Sequence, residues 1–446
     1  MKLVIVESPA KCKKINSFLG KDYIVKASFG HIRDLDKGLK AIDISNNYQP
    51  KYRLLPSKSK VIKDLKNTMK KVDEVIIASD LDREGEAIGY HVAKMLKLNI
   101  ATTKRIVFNQ ITKKAVLKAL NNPKTIDLNL FNSQQARRIL DRLVGFELSP
   151  LLWRHIQKNL SAGRCQSPAL RLVYDRENQI DNFASSCYFE TVGTFYTNDK
   201  YELVGIFINK YKKVDDVRTV LEDCKTANFK IKQVKKSIST NKPPPPFTTS
   251  SLQQEASYKL GLSPKVCMQF AQKLYEAGKI TYMRTDSVAL SGEALFLIKD
   301  YVLKKFGEKY YSMRAYKTKT KSSQEAHEAI RPVYIKEDSL QGNFADIQRK
   351  LYQLIHKRAV ASQMKPVKKD VYTTIIYMSN RDDLIECKIE KIIFLGYLKI
   401  YGIQLSEKDT RLEQLKTGEM LTYKVITSKQ KYTKSTGRYT EASLVK

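Results

Sequence analysis

Tyr282 and Arg284 stand two apart in the segment Lys279-Ile280-Thr281-Tyr282-Met283-Arg284-Thr285-Asp286-Ser287, in a chain with a formal net charge of +34. Read as a short strand, that spacing puts both side chains on one face. A phenol is a nucleophile for phosphorus, and a guanidinium is the natural holder of phosphate oxygens. The chemistry indicated is covalent attack on a nucleic-acid backbone. The chain has 25 tyrosines, so residue type alone selects nothing. The segment gains weight from a second group near the N-terminus, Glu7 with Asp80-Leu81-Asp82-Arg83-Glu84.

Asp80, Asp82 and Glu84 alternate, and Glu7 ends a neighbouring apolar run. Like charges gathered at one sheet edge repel, so such a cluster calls for protonation or a cation. Oxygen-only ligands beside a phosphate suit Mg²⁺. A solvated acidic loop is the plainer reading of the string by itself; following a buried run and paired with Glu7, it reads as a site. Lys11, in Val6-Glu7-Ser8-Pro9-Ala10-Lys11, adds a point charge for a phosphate.

The elements that must position these groups are legible in outline. Leu3–Val6 and Glu74–Ser79 are short apolar runs, each followed at once by acidic residues. After Glu84, Ile88, Val92 and Leu96 have helical spacing. This predicts an α/β unit with functional groups at the carboxyl ends of parallel strands. Asp127 to Glu177 reads as helical and basic, broken by a loop at Ser161–Pro168. Tyr188–Val234 and Asp370–Thr422 read as strand-rich, predicting one β unit built from two separated segments. Pro243–Pro246 mark a linker or a domain crossover. Ser263 as N-cap, Pro264 at the first helical position and Gly278 beyond the end predict a helix, its stripe Val266, Phe270 and Leu274, that feeds into Ile280–Arg284. Lys317–Ser323 reads as an exposed loop.

At 446 residues about three or four domains are expected, and a 42% apolar fraction suffices for a sizeable core. Lys and Arg number 80 against 46 Asp and Glu. A solvated lysine-rich surface explains part of that excess, and a polyanionic partner explains it more sharply. No apolar run is long enough to span a membrane. The six cysteines are scattered without a CxxC pair, which excludes a zinc ribbon from these residues and fits a reducing intracellular compartment.

The pairing of Glu7 with Asp80–Glu84 resembles the Toprim domain. With Ile280–Ser287 added, the chain resembles the type IA DNA topoisomerases, in their bacterial topoisomerase I branch. Further matches follow in the family's order: Ser28–Leu35, Gln135–Arg142, Ser161–Ser167 and Gln324–Pro332. The resemblance covers essentially the whole chain. It implies that Tyr282 attacks a DNA phosphate and keeps the 5′ end as a phosphotyrosine, so that resealing needs no ATP. Arg284 would orient Tyr282 and the phosphate, Glu7 would handle the proton at the leaving 3′ oxygen, and Lys11 would support the phosphate charge. Asp80 and Asp82, with Glu84 or Glu7, would hold Mg²⁺.

The same resemblance puts His31, Arg137, Arg138, Asp141, Phe146, Trp153, His327 and the loop Ser161, Ala162, Gly163, Arg164, Cys165, Gln166 against single-stranded DNA. Spacing alone would make Arg137–Trp153 an ordinary basic amphipathic helix, and His31 a satisfied loop residue. Met283 stands where the topoisomerase III branch has proline, which favours relaxation of negative supercoils over decatenation. The implied fold is an α+β multidomain toroid: a Toprim domain over 1–125, a helical strand-binding domain over 126–182 with a remainder from 430–446, a β-rich gate over 183–243 and 371–429, and a helical domain carrying Tyr282 over 244–370. A monomer acting on DNA is expected. The chain ends where the family continues with a GIGRPSTYA-like segment, so a truncated core with impaired strand passage is expected. The rivals are a Toprim nuclease or primase, which has no use for the tyrosine segment, and a single-strand-binding module without turnover.

Overall fold

The computed structural model describes residues 1–316, 328–405 and 411–446; His327 and the expected loop at Lys317–Ser323 lie outside them. Near the N-terminus four strands pair in parallel, in the order Tyr23–Ala27, Lys2–Val6, Glu74–Ile77, Lys104–Arg105. Leu3, Val4, Ile5 and Val6 are all buried, the continuous apolar pattern of a strand covered on both faces. The helices Pro9–Leu19 and Arg83–Met95 begin just beyond the carboxyl ends of two of these strands. Glu7 and Asp80 therefore sit at one edge of the sheet, as the apolar runs predicted.

The strand-rich segments form a closed barrel with neighbours in the order Glu202–Phe207, Arg381–Phe394, Val367–Met378, Phe229–Asn241, Met420–Tyr432, Cys187–Tyr196. Every pairing is antiparallel. Glu202–Phe207 alternates exposed and buried residues, so Leu203, Gly205 and Phe207 point inward. A Cβ on Gly205 would meet Ile385 Cγ2 at 2.5 Å, which is why the packed wall takes glycine there. One element was misread from sequence. Val214–Thr226 is a helix that buries Val217 and packs Val220 and Cys224 into the barrel core.

The helices Thr249–Leu260, Pro264–Glu276, Gly292–Phe306 and Asp346–Ser362 make up the unit that carries Tyr282. Ser263 caps the second as expected, its side chain accepting from Val266 N, with Pro264 at its start. Gly278 has φ +64° beyond its end, the left-handed turn glycine tolerates. Its most buried face is Cys267, Ala271, Leu274 and Tyr275, with Val266 and Phe270 only partly buried. This core is continuous with that of the N-terminal sheet: Val4, Val6 and Ile76 belong to the same cluster as Leu274, Ile280 and Tyr282.

The segment after this helix corrects the expectation of a strand. Only an isolated bridge forms, Ile280 to Pro332, and residues 281–290 follow as irregular backbone. Its hydrogen bonds go elsewhere: Thr281 N donates to Arg331 O at 2.9 Å, and Tyr282 N donates to Asn109 O at 2.7 Å. Among the described residues, no helix is long and apolar enough to cross a membrane.

Candidate active site

Tyr282 is 4% exposed, wedged edge-on against the ring of Tyr275 with centroids 5.1 Å apart. Its backbone is pinned on both sides. Asn109 takes the Tyr282 N–H, while Thr249 Oγ1 donates to Met283 O at 2.7 Å and accepts from Thr285 N at 2.9 Å. The hydroxyl donates to Asp82 Oδ2 at 2.7 Å, and Arg284 Nη1 donates to the same oxygen at 3.2 Å. The two side chains thus converge as strand spacing required, although no strand is present. Burial, then the negative charge of Asp82 and Asp80, hold the phenol far above its ordinary pKa, and Arg284 opposes them.

Asp82 is placed by the helix it starts, where its Oδ1 accepts from Gly85 N at 2.9 Å. Gly85 is required because a Cβ there would lie 2.2 Å from Asp80 O. The buried guanidinium of Arg105 shapes the preceding turn, donating to Ser79 O at 2.9 Å and Asp80 O at 2.8 Å while pairing with Glu86. Sequence reasoning did not find Arg105, Tyr275 or Asn109. Only the fold brings them to the site, and their types carry no local signature.

Lys11 is fully buried and pairs with Asp80, and Tyr275 Oη lies 3.4 Å from the same carboxylate oxygen. Glu7 Oε1 accepts from Asp80 N at 2.6 Å. Burial, reinforced by the charge of Asp80, pushes the Glu7 carboxyl up to about 7, against Lys11 and that backbone bond. Burial also raises Asp80, with Lys11 pulling the other way.

Glu84, expected among the Mg²⁺ ligands, is engaged within the protein. Its carboxylate is taken by His31 Nε2 and Gln134 Nε2, each at 3.2 Å, and the hydrogen bond from His31 holds its pKa below the usual value. Among the described residues, no three His, Cys, Asp or Glu side chains are gathered as a metal would need. Glu7, Asp80 and Asp82 still fit a hard cation by donor chemistry, being all-oxygen and mutually repelling.

Beside the tyrosine opens a cleft of about 1780 Å³, lined by His31, Arg33, Asp82, Glu84, Arg137, Arg138, Asp141, Arg164 and Arg284 among others. Two of its arginines are braced by carboxylates, Arg138 by Asp34 at 2.9 Å and Arg164 by Asp141 at 2.7 Å. Phe146 and Trp153, further along helix Leu128–His155, are about half exposed and do not line it. Arg142 lies over the Phe146 ring at 5.3 Å.

The glycine loop differs from expectation. Gln166 already begins helix Gln166–Asp181, with exposed Cys165 at its N-cap. Ala162 N donates to Ser149 Oγ at 3.2 Å and Gly163 N to Ser167 Oγ at 3.1 Å, so both amides are used within the protein. Ser161 Oγ likewise accepts from Gln166 Nε2 at 3.0 Å.

Residues 125–446 match the family model described as DNA topoisomerase, and residues 2–111 match the Toprim domain. The chain is 42% identical over 485 residues to "DNA topoisomerase 1 type prokaryotic" of Acanthamoeba polyphaga mimivirus, covering 100% of this chain and 56% of the viral protein. It is 43% identical over 481 residues to "DNA topoisomerase 1" of Rickettsia felis, again covering 100% of this chain and 61% of that protein. The chain therefore spans less than two thirds of the length of these relatives. Full-length topoisomerase I from Thermotoga maritima superposes with a TM-score of 0.86 at 38% identity, over 99% of this chain and 74% of that one.

Proposed function

Because the chain belongs to the DNA topoisomerase family and carries a Toprim domain, we propose that it cleaves one DNA strand with Tyr282, holds the 5′ end covalently and reseals it without ATP. The observation that carries this reading is the meeting of Tyr282 and Arg284 on one oxygen of Asp82, at the mouth of an arginine-lined cleft. A Toprim nuclease or primase would have no use for a tyrosine held there.

In cleavage the Tyr282 oxygen bonds to phosphorus as the bond from phosphorus to the 3′ oxygen breaks. The phenol proton passes along its existing hydrogen bond to Asp82 as the new bond forms, and Glu7 gives its proton to the departing 3′ oxygen. A carboxyl titrating at about 7 is well matched to that task. One phosphoester replaces another, so the reverse steps reseal the strand without an energy source. Arg284 leaves Asp82 for the scissile phosphate when DNA enters.

Mg²⁺ would be held by Asp80 and Asp82 with Glu7, and when bound would neutralise charge on the reacting phosphate. Glu84, with His31, would face the strand in the cleft rather than the ion. Single-stranded regions of negatively supercoiled DNA are the proposed substrate, with Arg137, Arg138 and Arg164 following its backbone. The division at 1–125, 126–182 with 430–446, 183–243 with 371–429, and 244–370 belongs to this proposal. Trapping a protein–DNA adduct, and losing it in Tyr282→Phe, tests it.

A further inference from the structure

Asn109 touches the tyrosine's unit twice from across the boundary with the N-terminal sheet. Its carbonyl takes the N–H of Tyr282 at 2.7 Å. Its side-chain amide donates to Glu328 Oε2 at 2.8 Å. Glu328 is 8% exposed and Arg331 3%, and Arg331 grips both carboxylate oxygens, with Nη2 to Oε2 at 3.0 Å. Ser291 N donates to Glu328 Oε1 at 2.9 Å. The pair is wired to the tyrosine as well, since Arg331 O accepts the N–H of Thr281.

The buried charges at this contact lie on one side of the boundary, whereas the ion pairs that cross it, Arg284–Asp82 and Lys114–Glu293, are partly exposed. Glu328 and Arg331 are three residues apart and lie together on the tyrosine's side, so the buried charges stay paired if the two units part. A buried ion pair split across the boundary would leave an uncompensated charge on each face. Here the groups that withdraw are Asn109 and, at 3.4 Å from Arg331, the neutral side chain of Gln110. What Asn109 loses on withdrawal includes its hold on the backbone of Tyr282. Placement of the nucleophile and closure of the boundary thus share one residue.

We propose that Asn109 is a closure-sensing positioning residue: docked on the Glu328–Arg331 pair, it fixes Tyr282 for cutting and resealing only while the two units are in contact. The inference rests on the strand-cleavage reading above. Placing a carboxylate at 109 opposes Glu328 directly, so Asn109→Asp is expected to slow resealing of a cut oligonucleotide about tenfold, the scale of one lost hydrogen bond to a charged group. Single-strand affinity should stay within about twofold, because phosphate contacts supply it. Adding Glu328→Gln returns a donor opposite Asp at 109 and should restore resealing.

Hydrogen exchange of the DNA-free protein over residues 280–285 gives a second readout. Protection should fall in Asn109→Asp and in Asn109→Ala, and return in the Asn109→Asp, Glu328→Gln pair. Wild-type resealing and wild-type protection in Asn109→Asp would overturn the inference, as would failure of the paired change to restore either. If the unaltered protein formed no adduct, the strand-cleavage reading would fall, and the exchange arm would still decide whether Asn109 couples the boundary to Tyr282.

Discussion

The hydroxyl of Tyr282 and the guanidinium of Arg284 share a single acceptor, Asp82 Oδ2, at 2.7 and 3.2 Å. In the proposed reaction this keeps nucleophile and phosphate holder in register before DNA arrives. In the proposed cleavage Asp82 is the first acceptor of the phenol proton, since proton transfer demands geometry first and a matched pKa second.

Asp82→Asn tests that role. The amide keeps the size of the side chain but cannot take a proton, so oligonucleotide cleavage should slow by about 100-fold, the low end for general-base catalysis. Single-strand binding should hold or tighten, because one negative charge leaves the cleft. Filter binding and single-turnover cleavage measure the two effects, and wild-type cleavage would remove Asp82 from the proton path.

Cleavage should depend on pH through Glu7. Its carboxyl titrates at about 7 rather than near 4.5, and the general acid must carry its proton. As pH rises through about 7 that form is lost, so the cleavage rate should fall, while resealing, which needs the carboxylate to receive the proton, should rise. Glu7→Gln should flatten both profiles. A profile unchanged by Glu7→Gln would assign the ionisation to another group.

Lys11 and Asp80 are both buried and paired, which makes a stability prediction independent of catalysis. Asp80→Ala strands an ammonium in the core and should cost about 3–5 kcal/mol in denaturant unfolding. Lys11→Met in that background should recover most of it. Equal stability of Asp80→Ala and the unaltered chain would contradict a tightly held pair.

Chelation of divalent ions should leave salt-sensitive single-strand binding intact, since Arg137, Arg138 and Arg164 line the cleft and, of Glu7, Asp80 and Asp82, only Asp82 does. Resealing should slow, and Asp80→Asn should lose its response to added Mg²⁺. A Glu84→Gln variant should keep that response, because Glu84 is engaged by His31 and Gln134. Loss of the Mg²⁺ response on changing Glu84 would return it to the ion's ligands.

Much of this architecture was legible where a local rule applies. The strand-rich segments Tyr188–Val234 and Asp370–Thr422 do combine in one β unit, and Ser263, Pro264 and Gly278 bounded the helix leading to Tyr282. Helix Val214–Thr226 was missed although Val217, Val220 and Cys224 have helical spacing, because strand-like neighbours on both sides masked its period. The Tyr282 segment was read as a strand because it has strand composition, but Asn109 and Arg331 take its amides in place of a neighbouring strand. Such backbone bonds join residues far apart in sequence and leave no trace in residue type. Glu84 alternates with Asp80 and Asp82 in the sequence, and its hydrogen bonds to His31 and Gln134 are partners that spacing does not reveal.

The most direct test is to incubate the protein with an end-labelled single-stranded oligonucleotide, denature it, and map any covalent adduct by peptide sequencing. The account predicts a 5′-phosphate linkage to Tyr282 and no adduct from Tyr282→Phe, whose single-strand binding stays intact. An adduct on another residue, an adduct that survives Tyr282→Phe, or no adduct from the unaltered chain would contradict it.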